Sequence, residues 1–310
     1  KGEGRVVELL AQLQGKRQIS PVAPHSNFRG RLRPYQERGL SWLSFLSSCG
    51  LGACLADDMG LGKTVQTLAF IQKLWYERKK AERRPTLLVC PMSVLGNWQA
   101  EIARFTPDLP CLIHHGTGRL RGEELIEAAR RYAVTVTSYA LLNKDREDLK
   151  EVNWLAVILD EAQNIKNPEA KQARAAFEMP ADVRVALTGT PVENSVGDLW
   201  SIMNFLNPGF LGSQLDFKQR FYWPIQMRQD GGSAEELRRL TAPLILRRQE
   251  KSVQVHKFIC SGTLEEKIDE LIERKELVAS QTITAGEGWL TELSTAELRD
   301  LFALREHAFM

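Results

Sequence analysis

Two short motifs in this sequence carry residues whose types and order could do chemistry on a phosphate. In the first, "GLGKT" at 60–64, the glycines Gly60 and Gly62 come directly before Lys63 and Thr64. Glycines let backbone amides approach phosphate oxygens, and a lysine can reach the outer phosphates of a nucleotide. A threonine hydroxyl at the next position can ligate Mg²⁺. The motif therefore predicts a nucleotide-binding loop.

The same loop departs from the strict phosphate-loop pattern at one position. That pattern asks for glycine at position 57, where this chain has Asp57. Asp58, the next residue, is predicted to belong to the nucleotide-binding loop as well. Because a strand-like run precedes the loop and a helical run follows it, the context that phosphate binding requires is preserved.

The second motif, "LAVILDEAQ", ends an apolar run in the adjacent carboxylates Asp160 and Glu161. Asp160 is predicted to hold Mg²⁺, and Glu161 to orient and deprotonate an attacking water. Two acids here could also cap the next helix, but their position after "GKT" favours catalysis. The sequence "NKDR" at 143–146 resembles a guanine-reading motif. It ends in Arg146 rather than Asp and precedes the acidic pair, so a GTPase is not favoured.

The segments that must position these motifs alternate between two patterns. Apolar, β-branched runs predict strands that are covered on both faces: "GACLA", "TLLVC", "PCLIHH", "AVTVTSY", "LAVILD" and "VRVALTG". Segments with helical periodicity separate several of them, among them residues 63–81. This alternation predicts an α/β fold in which helices flank a parallel sheet. Beyond Asn194 the pattern is mostly helical up to Arg248.

Composition limits the remaining possibilities. No apolar run is long enough to span a membrane, and the N-terminus does not resemble a secretory signal. The five cysteines lack metal-ligand spacing, so we expect free thiols and no structural zinc. Residues 1–50 carry eight Lys or Arg against three Glu, which is compatible with nucleic acid but is weak evidence for it.

In order along the chain, several motifs resemble the first lobe of the Swi/Snf family of helicase-like ATPases. They are "LRPYQERGLSWL", "DDMGLGKTVQT", "LLVCPMSVLGNWQAEIARF", "TSYALL", "DEAQNIKN" and "LTGTPVENSVGDLWSIMNFLNP". The resemblance runs from about Phe28 to Arg248. It implies a RecA-like lobe that binds ATP with Mg²⁺ and belongs to a motor on double-stranded DNA. The tail resembles the end of a bacterial member, which implies a cytoplasmic protein associated with the nucleoid.

The resemblance also implies roles for further residues. Gln36 would read the adenine, which favours ATP over GTP. The residues that couple hydrolysis to DNA would be Gln163, Thr188 and Thr190, with Gln163 replacing a more common histidine. The candidates for contacts with the phosphate backbone of DNA are Ser93, Asn97, Thr137 and Ser138. Trp98 is interpreted as a core residue rather than a DNA contact.

The sequence divides into five parts. They are a basic N-terminal segment at 1–27, a RecA-like lobe at 28–194, a helical extension at 195–248, a junction at 249–252 and a C-terminal strand with helices at 253–310. The last part resembles the end of a second lobe, whose remaining strands and arginine-rich box are missing. Either the sequence joins separate parts of a longer protein, or the protein lacks that lobe.

The leading hypothesis is a DNA-stimulated ATPase that moves along duplex DNA and remodels or displaces bound protein. The second lobe would supply an arginine finger, so these residues alone should turn over ATP very slowly. Two alternatives stay open: a module that binds ATP and DNA without turnover, and an RNA-directed helicase of the same superfamily.

Overall fold

Among the residues that the structure describes, a seven-stranded, all-parallel sheet forms the centre of the fold. The computed structural model describes residues 19–189 and 195–248. The strands are β1 Ala53–Leu55, β2 Thr86–Cys90, β3 Cys111–His114, β4 Val134–Ser138, β5 Trp154–Asp160, β6 Ala181–Leu187 and β7 Ile245–Leu246. Their order across the sheet is β3-β4-β2-β5-β6-β1-β7, and each neighbouring pair is parallel. The predicted parallel α/β class is confirmed.

Helices occupy most of the connections between these strands. They are α1 Pro34–Ser48, α2 Lys63–Tyr76, α3 Leu95–Phe105, α4 Gly122–Arg131, α5 Tyr139–Lys144, α6 Arg146–Lys150, α7 Lys171–Glu178, α8 Val196–Leu206, α9 Gln214–Phe217, α10 Trp223–Arg228 and α11 Gly231–Thr241. A π-helical turn, Lys218–Tyr222, joins α9 to α10. In the described ranges, no helix combines the length and apolar character that crossing a membrane requires.

The central strands are buried on both faces, as their composition predicts. Every residue of β2 and β4 is buried, and β5 is buried except at its last residue, Asp160. Full burial of a Val, Leu or Ile side chain contributes about 1.5–3 kcal/mol. The strands therefore supply much of the stability of the fold. Polar residues such as Asp160 lie at the ends of the strands, outside this apolar core.

One helix is shorter than its sequence pattern predicts. The helical periodicity extends to residue 81, whereas α2 ends at Tyr76. The sequence after this point, "ERKKAERR", places like charges at helical spacing, which destabilises a helix. The guanidinium of Arg83 instead lies over the rings of Trp75 and Tyr76, 5.4 and 5.1 Å from their centroids.

The prediction that the helical pattern continues to Arg248 is wrong for the last residues of that range. Helix α11 ends at Thr241, and Pro243, which lacks a backbone N–H, lies in the 3₁₀ turn that follows. The chain then forms β7, which pairs with β1 in the register Cys54 to Ile245. The last part of the helical extension therefore returns to the sheet, beside the strand that leads into "GLGKT".

Several sequence predictions concern residues outside the described ranges. These are most of the N-terminal segment (residues 1–18), Thr190, the junction at 249–252 and the C-terminal part at 253–310. The described remainder of the N-terminal segment leads into Phe28, whose ring stacks on Phe105 of α3 at 5.8 Å. The backbone amide of Arg29 donates to the carbonyl of Phe105 at 2.8 Å, so the chain entering α1 is held against α3.

The edge strand β3 ends in a buried, charged cluster. His114 Nε2 lies 2.9 Å from Asp145 Oδ2, and Arg119 donates to both oxygens of that carboxylate at 2.6 and 2.8 Å. Burial lowers the pKa of His114, although the hydrogen bond and the charge of Asp145 oppose this effect. Burial alone would raise the pKa of Asp145, but hydrogen bonds from Arg119 and His114 outweigh it, and the pKa lies below its usual range.

These directions predict a loss of stability in mild acid. A histidine with a lowered folded-state pKa is protonated first in the unfolded chain, so stability falls as pH drops below about 6.5. Because the pKa of Asp145 is lowered, the stability that its ionised form contributes is lost only at more acidic pH. We expect the midpoint of thermal unfolding to fall less between pH 7.5 and 5.5 in His114→Gln than in the wild type. His115→Gln, at the exposed next position, is the control and should behave like the wild type; an equal change in both variants would contradict the prediction.

Candidate functional site

The sheet order brings the two chemical motifs to one edge. "GLGKT" follows β1 and the acidic pair ends β5, and β6 lies between these two strands. The C-terminal ends of parallel strands meet at the same edge of a sheet, which is where α/β folds bind ligands. Thr188 follows β6, and its backbone amide donates to the carbonyl of Leu55 in β1 at 3.2 Å. Thr188 therefore lies between the loop and the acidic pair.

The loop after β1 depends on its glycines for its shape. Gly60 and Gly62 have φ of +85° and +79°, a region that other residues rarely adopt. A Cβ at Gly62 would also lie 2.5 Å from Nε2 of Gln36. Helix α2 begins at Lys63 without a side-chain cap, so its first amides suit an anion. The Lys63 ammonium donates to the carbonyl of Asp57 at 2.6 Å, across the base of the loop.

Gln36 connects helix α1 to this loop. Its side-chain oxygen accepts from the backbone amide of Arg33 at 2.9 Å, and its Nε2 donates to the carbonyl of Leu61 at 3.2 Å. The hydroxyl of Tyr35 donates to the same carbonyl at 3.2 Å. The structure thus brings Gln36 to the phosphate loop, while its contact with adenine stays a prediction.

Asp57, which replaces the expected glycine, is fully buried and binds Arg248. Arg248 Nε donates to Asp57 Oδ1 at 2.8 Å, and a terminal nitrogen of Arg248 donates to Oδ2. The same arginine donates to Gln66 Oε1 at 2.7 Å and to the carbonyl of Tyr35, and lies over the Tyr35 ring. The carboxylate at position 57 therefore joins the base of the loop to the residues after β7.

Asp58 takes part in the same connection. Its backbone amide donates to the carbonyl of Arg248 at 3.0 Å, and its carboxylate lies 3.6 Å from a terminal nitrogen of Arg247. Its carbonyl also accepts from Lys63 at 3.3 Å. The two arginines at the end of the described chain are thus bound to the two aspartates of the loop.

The acidic pair lies on a constrained turn. Glu161 has φ of +50°, in the left-handed region that costs a non-glycine residue about 1–3 kcal/mol and often marks functional sites. Its backbone amide donates to Asp160 Oδ1 at 3.0 Å. The buried hydroxyl of Tyr139 donates to the carbonyl of Asp160 at 2.8 Å, which supports the turn from α5. Burial raises the pKa of Asp160, although a hydrogen bond from Trp98 opposes this effect.

A chain of polar side chains links Thr188 to the acidic pair. The hydroxyl of Thr188 donates to Gln163 Oε1 at 2.9 Å. Gln163 Nε2 in turn donates to Glu161 Oε2 at 2.8 Å. The structure therefore brings Gln163 and Thr188 together with Glu161, whereas Thr190, the third residue of the predicted coupling set, lies outside the described residues.

The four predicted DNA contacts occupy different environments. Ser93 and Asn97 are exposed, just before and within the first turn of α3. Thr137 is fully buried in β4, and its hydroxyl donates to the carbonyl of His114 at 3.3 Å. Ser138 is also buried and caps α5, accepting from the amide of Leu141 at 3.3 Å. The burial of Thr137 and Ser138 does not support their predicted contacts with DNA, because a buried hydroxyl cannot reach a DNA phosphate.

The residues at this edge fit a nucleotide with Mg²⁺. Mg²⁺ commonly uses one or two carboxylates together with substrate phosphates, rather than a dedicated protein cage. Asp160 suits that use, because its carboxylate is oriented by neutral donors, the Trp98 indole and the Glu161 amide. Thr64 lies in the first turn of α2. The described part of the chain contains no cluster of three His, Cys, Asp or Glu side chains that could hold a metal alone.

Sequence reasoning missed three supporting residues of the site. Arg248 was not predicted to be the partner of Asp57, although a charged residue in place of a glycine is a signal that it needs a partner. Tyr139 was part of a quoted motif, but its bond to the turn is visible only in three dimensions. Trp98 was correctly predicted to be buried, and its bond to Asp160 was not predicted.

Comparisons with known proteins agree with this arrangement. The profile of the SNF2-related domain matches residues 35–273. YwqA of Bacillus subtilis, named as a candidate ATP-dependent helicase/translocase, is 43% identical over 247 residues, which cover 80% of this chain and 27% of YwqA. The ISWI chromatin-remodeling complex ATPase ISW1 of Saccharomyces cerevisiae is 35% identical over 227 residues, 73% of this chain and 20% of ISW1.

Solved structures give a similar result. The SWI2/SNF2 ATPase core of Sulfolobus solfataricus in complex with double-stranded DNA aligns with a TM-score of 0.68 and 39% identity. The alignment covers 84% of this chain and 58% of the archaeal chain. This chain thus spans a minor part of the two curated relatives and little more than half of the archaeal core.

The bond between Arg248 and Asp57 predicts an unequal effect of removing two arginines. Arg248→Met leaves the fully buried Asp57 carboxylate without its cation, and we expect a loss of about 3 kcal/mol of unfolding free energy. Arg84→Met removes an exposed pair with Asp182 and should cost at most about 1 kcal/mol. Denaturant unfolding of the two variants tests this, and equal losses would contradict it.

Proposed function

This chain belongs to the SNF2-related domain family, and from this premise we propose that it forms the ATP-binding lobe of a motor that moves along double-stranded DNA. The observation that carries the proposal is the hydrogen-bonded chain from Thr188 through Gln163 to Glu161. It joins Thr188, directly after β6, to Glu161, the residue proposed to activate water. Such a connection suits an enzyme in which hydrolysis depends on events elsewhere in the lobe.

The residues of the loop are proposed to bind ATP. The amides of Gly60, Gly62 and the first turn of α2 would hold phosphate oxygens, since these donors are not capped by a side chain. Lys63 would leave the carbonyls at the base of the loop and bind the outer phosphates, and Asp58 would help to shape the loop. Gln36, already bound to the loop at Leu61, would read the adenine.

The two residues of the acidic pair are proposed to have different roles, one in binding Mg²⁺ and the other in activating water. Thr64 and Asp160 would hold Mg²⁺, which when bound neutralises charge that develops on the phosphates. Glu161 would orient the attacking water and take its proton. Gln163 keeps one oxygen of Glu161 engaged at 2.8 Å, which limits the orientations open to the carboxylate. Its other oxygen is left to receive the water.

Double-stranded DNA is the proposed partner. The exposed side chains of Ser93 and Asn97 supply candidate contacts at the start of α3. Contacts of this kind are made with phosphates, so binding should be independent of sequence and sensitive to salt. Thr190 stays part of the proposed coupling set. The displacement or remodelling of DNA-bound protein, and a location at the bacterial nucleoid, belong to the same proposal.

The full motor is proposed to need a second lobe. Residues 249–252 would mark the junction with it and residues 253–310 would form its end. That lobe would supply an arginine finger to stabilise charge on the transferred phosphoryl group, worth about 10³–10⁵ in rate in related reactions. The first lobe alone should therefore hydrolyse ATP very slowly. Arg247 and Arg248 do not suit this role, since both are bound to aspartates of the loop.

The rate of ATP hydrolysis by the full-length protein tests the proposal. We expect duplex DNA to stimulate hydrolysis, and Lys63→Ala to lower the stimulated rate by about 10²–10³, as expected for loss of a phosphate-binding cation. Stimulation by RNA but not by duplex DNA would instead favour an RNA-directed helicase. ATP-dependent DNA binding without phosphate release would favour a binding module. Hydrolysis that Lys63→Ala leaves intact would exclude this site.

The link through Gln163 predicts a more selective effect. Thr188→Val keeps the shape of the side chain but removes the donor to Gln163, so the DNA-stimulated rate should fall by roughly 2- to 10-fold. The affinity for ATP should change little, because the proposed role of Thr188 is to couple hydrolysis to DNA rather than to hold the nucleotide.

The matched control for that variant is Thr106→Val. Thr106 is also fully buried, and its hydroxyl donates to the carbonyl of Ile102 within α3. It should lose stability without losing DNA stimulation. An equal drop in DNA-stimulated rate in both variants would show that the effect is one of folding rather than of coupling.

A further inference from the structure

Trp98 binds the acidic pair through the only polar atom of its side chain. The indole Nε1 donates to Asp160 Oδ2 at 2.7 Å. Asp160 is the residue proposed to hold Mg²⁺, and Trp98 belongs to a different element, helix α3. We propose that Trp98 is a positioning residue for the metal site, which sets the orientation of the Asp160 carboxylate. This inference rests on the proposed function.

The packing of Trp98 makes it a rigid donor. The side chain is only 2% exposed and belongs to the hydrophobic core. A large ring enclosed on all sides cannot change rotamer without displacing its neighbours, so the position of Nε1 is set by the core. Buried indole N–H groups usually find an acceptor, and here the acceptor is a carboxylate rather than a backbone carbonyl.

Two donors from different parts of the chain fix the plane of the carboxylate. Glu161 N–H donates to Oδ1 at 3.0 Å, and Trp98 donates to Oδ2. Each carboxylate oxygen can accept more than one bond, so both oxygens keep capacity for a cation or its water. The Glu161 amide belongs to the same turn as Asp160 and moves with it. Trp98 is therefore the donor that fixes the position of the carboxylate relative to the core.

The neutrality of the donor matters as much as its position. A lysine or arginine at this distance would orient the carboxylate but would also cancel its charge. An indole N–H orients it and leaves the negative charge for a divalent cation. Hydrogen bonds that orient metal ligands in this way commonly change metal affinity or activity by about 10- to 100-fold when removed.

Helix α3 also places a proposed DNA contact next to Trp98. Asn97, a proposed DNA contact, directly precedes Trp98 and is exposed, whereas Trp98 is buried. The first turn of α3 therefore presents one residue to solvent and the next to Asp160. A displacement of this turn would move the Asp160 donor directly.

A second buried tryptophan provides a matched control. Trp154 is fully buried at the opposite end of β5 from Asp160, and its Nε1 donates to the carbonyl of Leu149 at 2.8 Å. Replacing either tryptophan with phenylalanine removes one buried N–H donor and part of one core side chain. A purely structural role for Trp98 predicts that the two replacements act alike.

The experiment measures Mn²⁺ binding to the full-length protein in the presence of ADP by electron paramagnetic resonance. We expect Trp98→Phe to weaken Mn²⁺ binding about 10-fold. Trp154→Phe should leave Mn²⁺ affinity within about twofold of the wild type. The affinity for ADP in EDTA should be unchanged in both variants, because the indole N–H groups donate to Asp160 and to the carbonyl of Leu149 rather than to the phosphate loop.

A second substitution separates the donor from the packing. Incorporation of β-(3-benzothienyl)alanine at position 98 keeps the shape of the ring and replaces N–H with sulfur. It should weaken Mn²⁺ binding as Trp98→Phe does, and it decides the question if Trp98→Phe does not fold. Wild-type Mn²⁺ affinity in the benzothienyl protein would overturn the inference, as would equal weakening in Trp98→Phe and Trp154→Phe.

The proposed function fails in a different measurement. If the wild-type protein shows no ADP-dependent Mn²⁺ binding, the nucleotide site itself is wrong, and the role of Trp98 falls with it. If the wild type binds Mn²⁺ with ADP and the benzothienyl protein binds it equally well, only the role of Trp98 is overturned.

Discussion

The common direction of the seven strands is the constraint on which the candidate site depends. Parallel strands place all their C-terminal ends at one edge, so β1, β5 and β6 deliver the phosphate loop, the acidic pair and Thr188 to the same place. Because β6 lies between β1 and β5, Thr188 is adjacent to both motifs. Residues more than 100 positions apart in sequence therefore meet without any loop having to cross the sheet. Helices then only have to cover the faces and hold the strand ends in register.

The phosphate loop is stabilised from outside its own segment. A loop that binds phosphates must give its amides and its lysine to the nucleotide, so those groups cannot stabilise the loop once the nucleotide is bound. The ion pair of Asp57 and Arg248 solves this problem by fixing the base of the loop to β7, about 190 residues later. Strand β7 in turn pairs with β1. The extension at 195–248 is thus structurally part of the lobe that carries "GLGKT", because its final residues complete both the sheet and the loop.

Sequence patterns predict local features well and long-range contacts poorly. Strands such as β2 and β4 are predicted closely because burial and periodicity are properties of a few adjacent residues. Sheet order, β7 and the partner of Asp57 depend on contacts between distant segments, and no local pattern specifies them. Thr137 illustrates the same limit, since a hydroxyl in a motif looks available until burial in a sheet is known. The motif residues could therefore be named, but not the residues that hold them.

Two aspartates of this edge show how the fold separates a structural acid from a chemical one. Asp57 receives a guanidinium, so its charge is neutralised and its position is fixed permanently. Asp160 receives neutral donors, the Trp98 indole and the Glu161 amide, while the Tyr139 hydroxyl supports the backbone beside it. Burial raises the pKa of Asp160, and the hydrogen bonds from the indole and the amide only partly oppose that effect. A carboxylate that is oriented but not neutralised retains the affinity for a cation that the proposed chemistry requires.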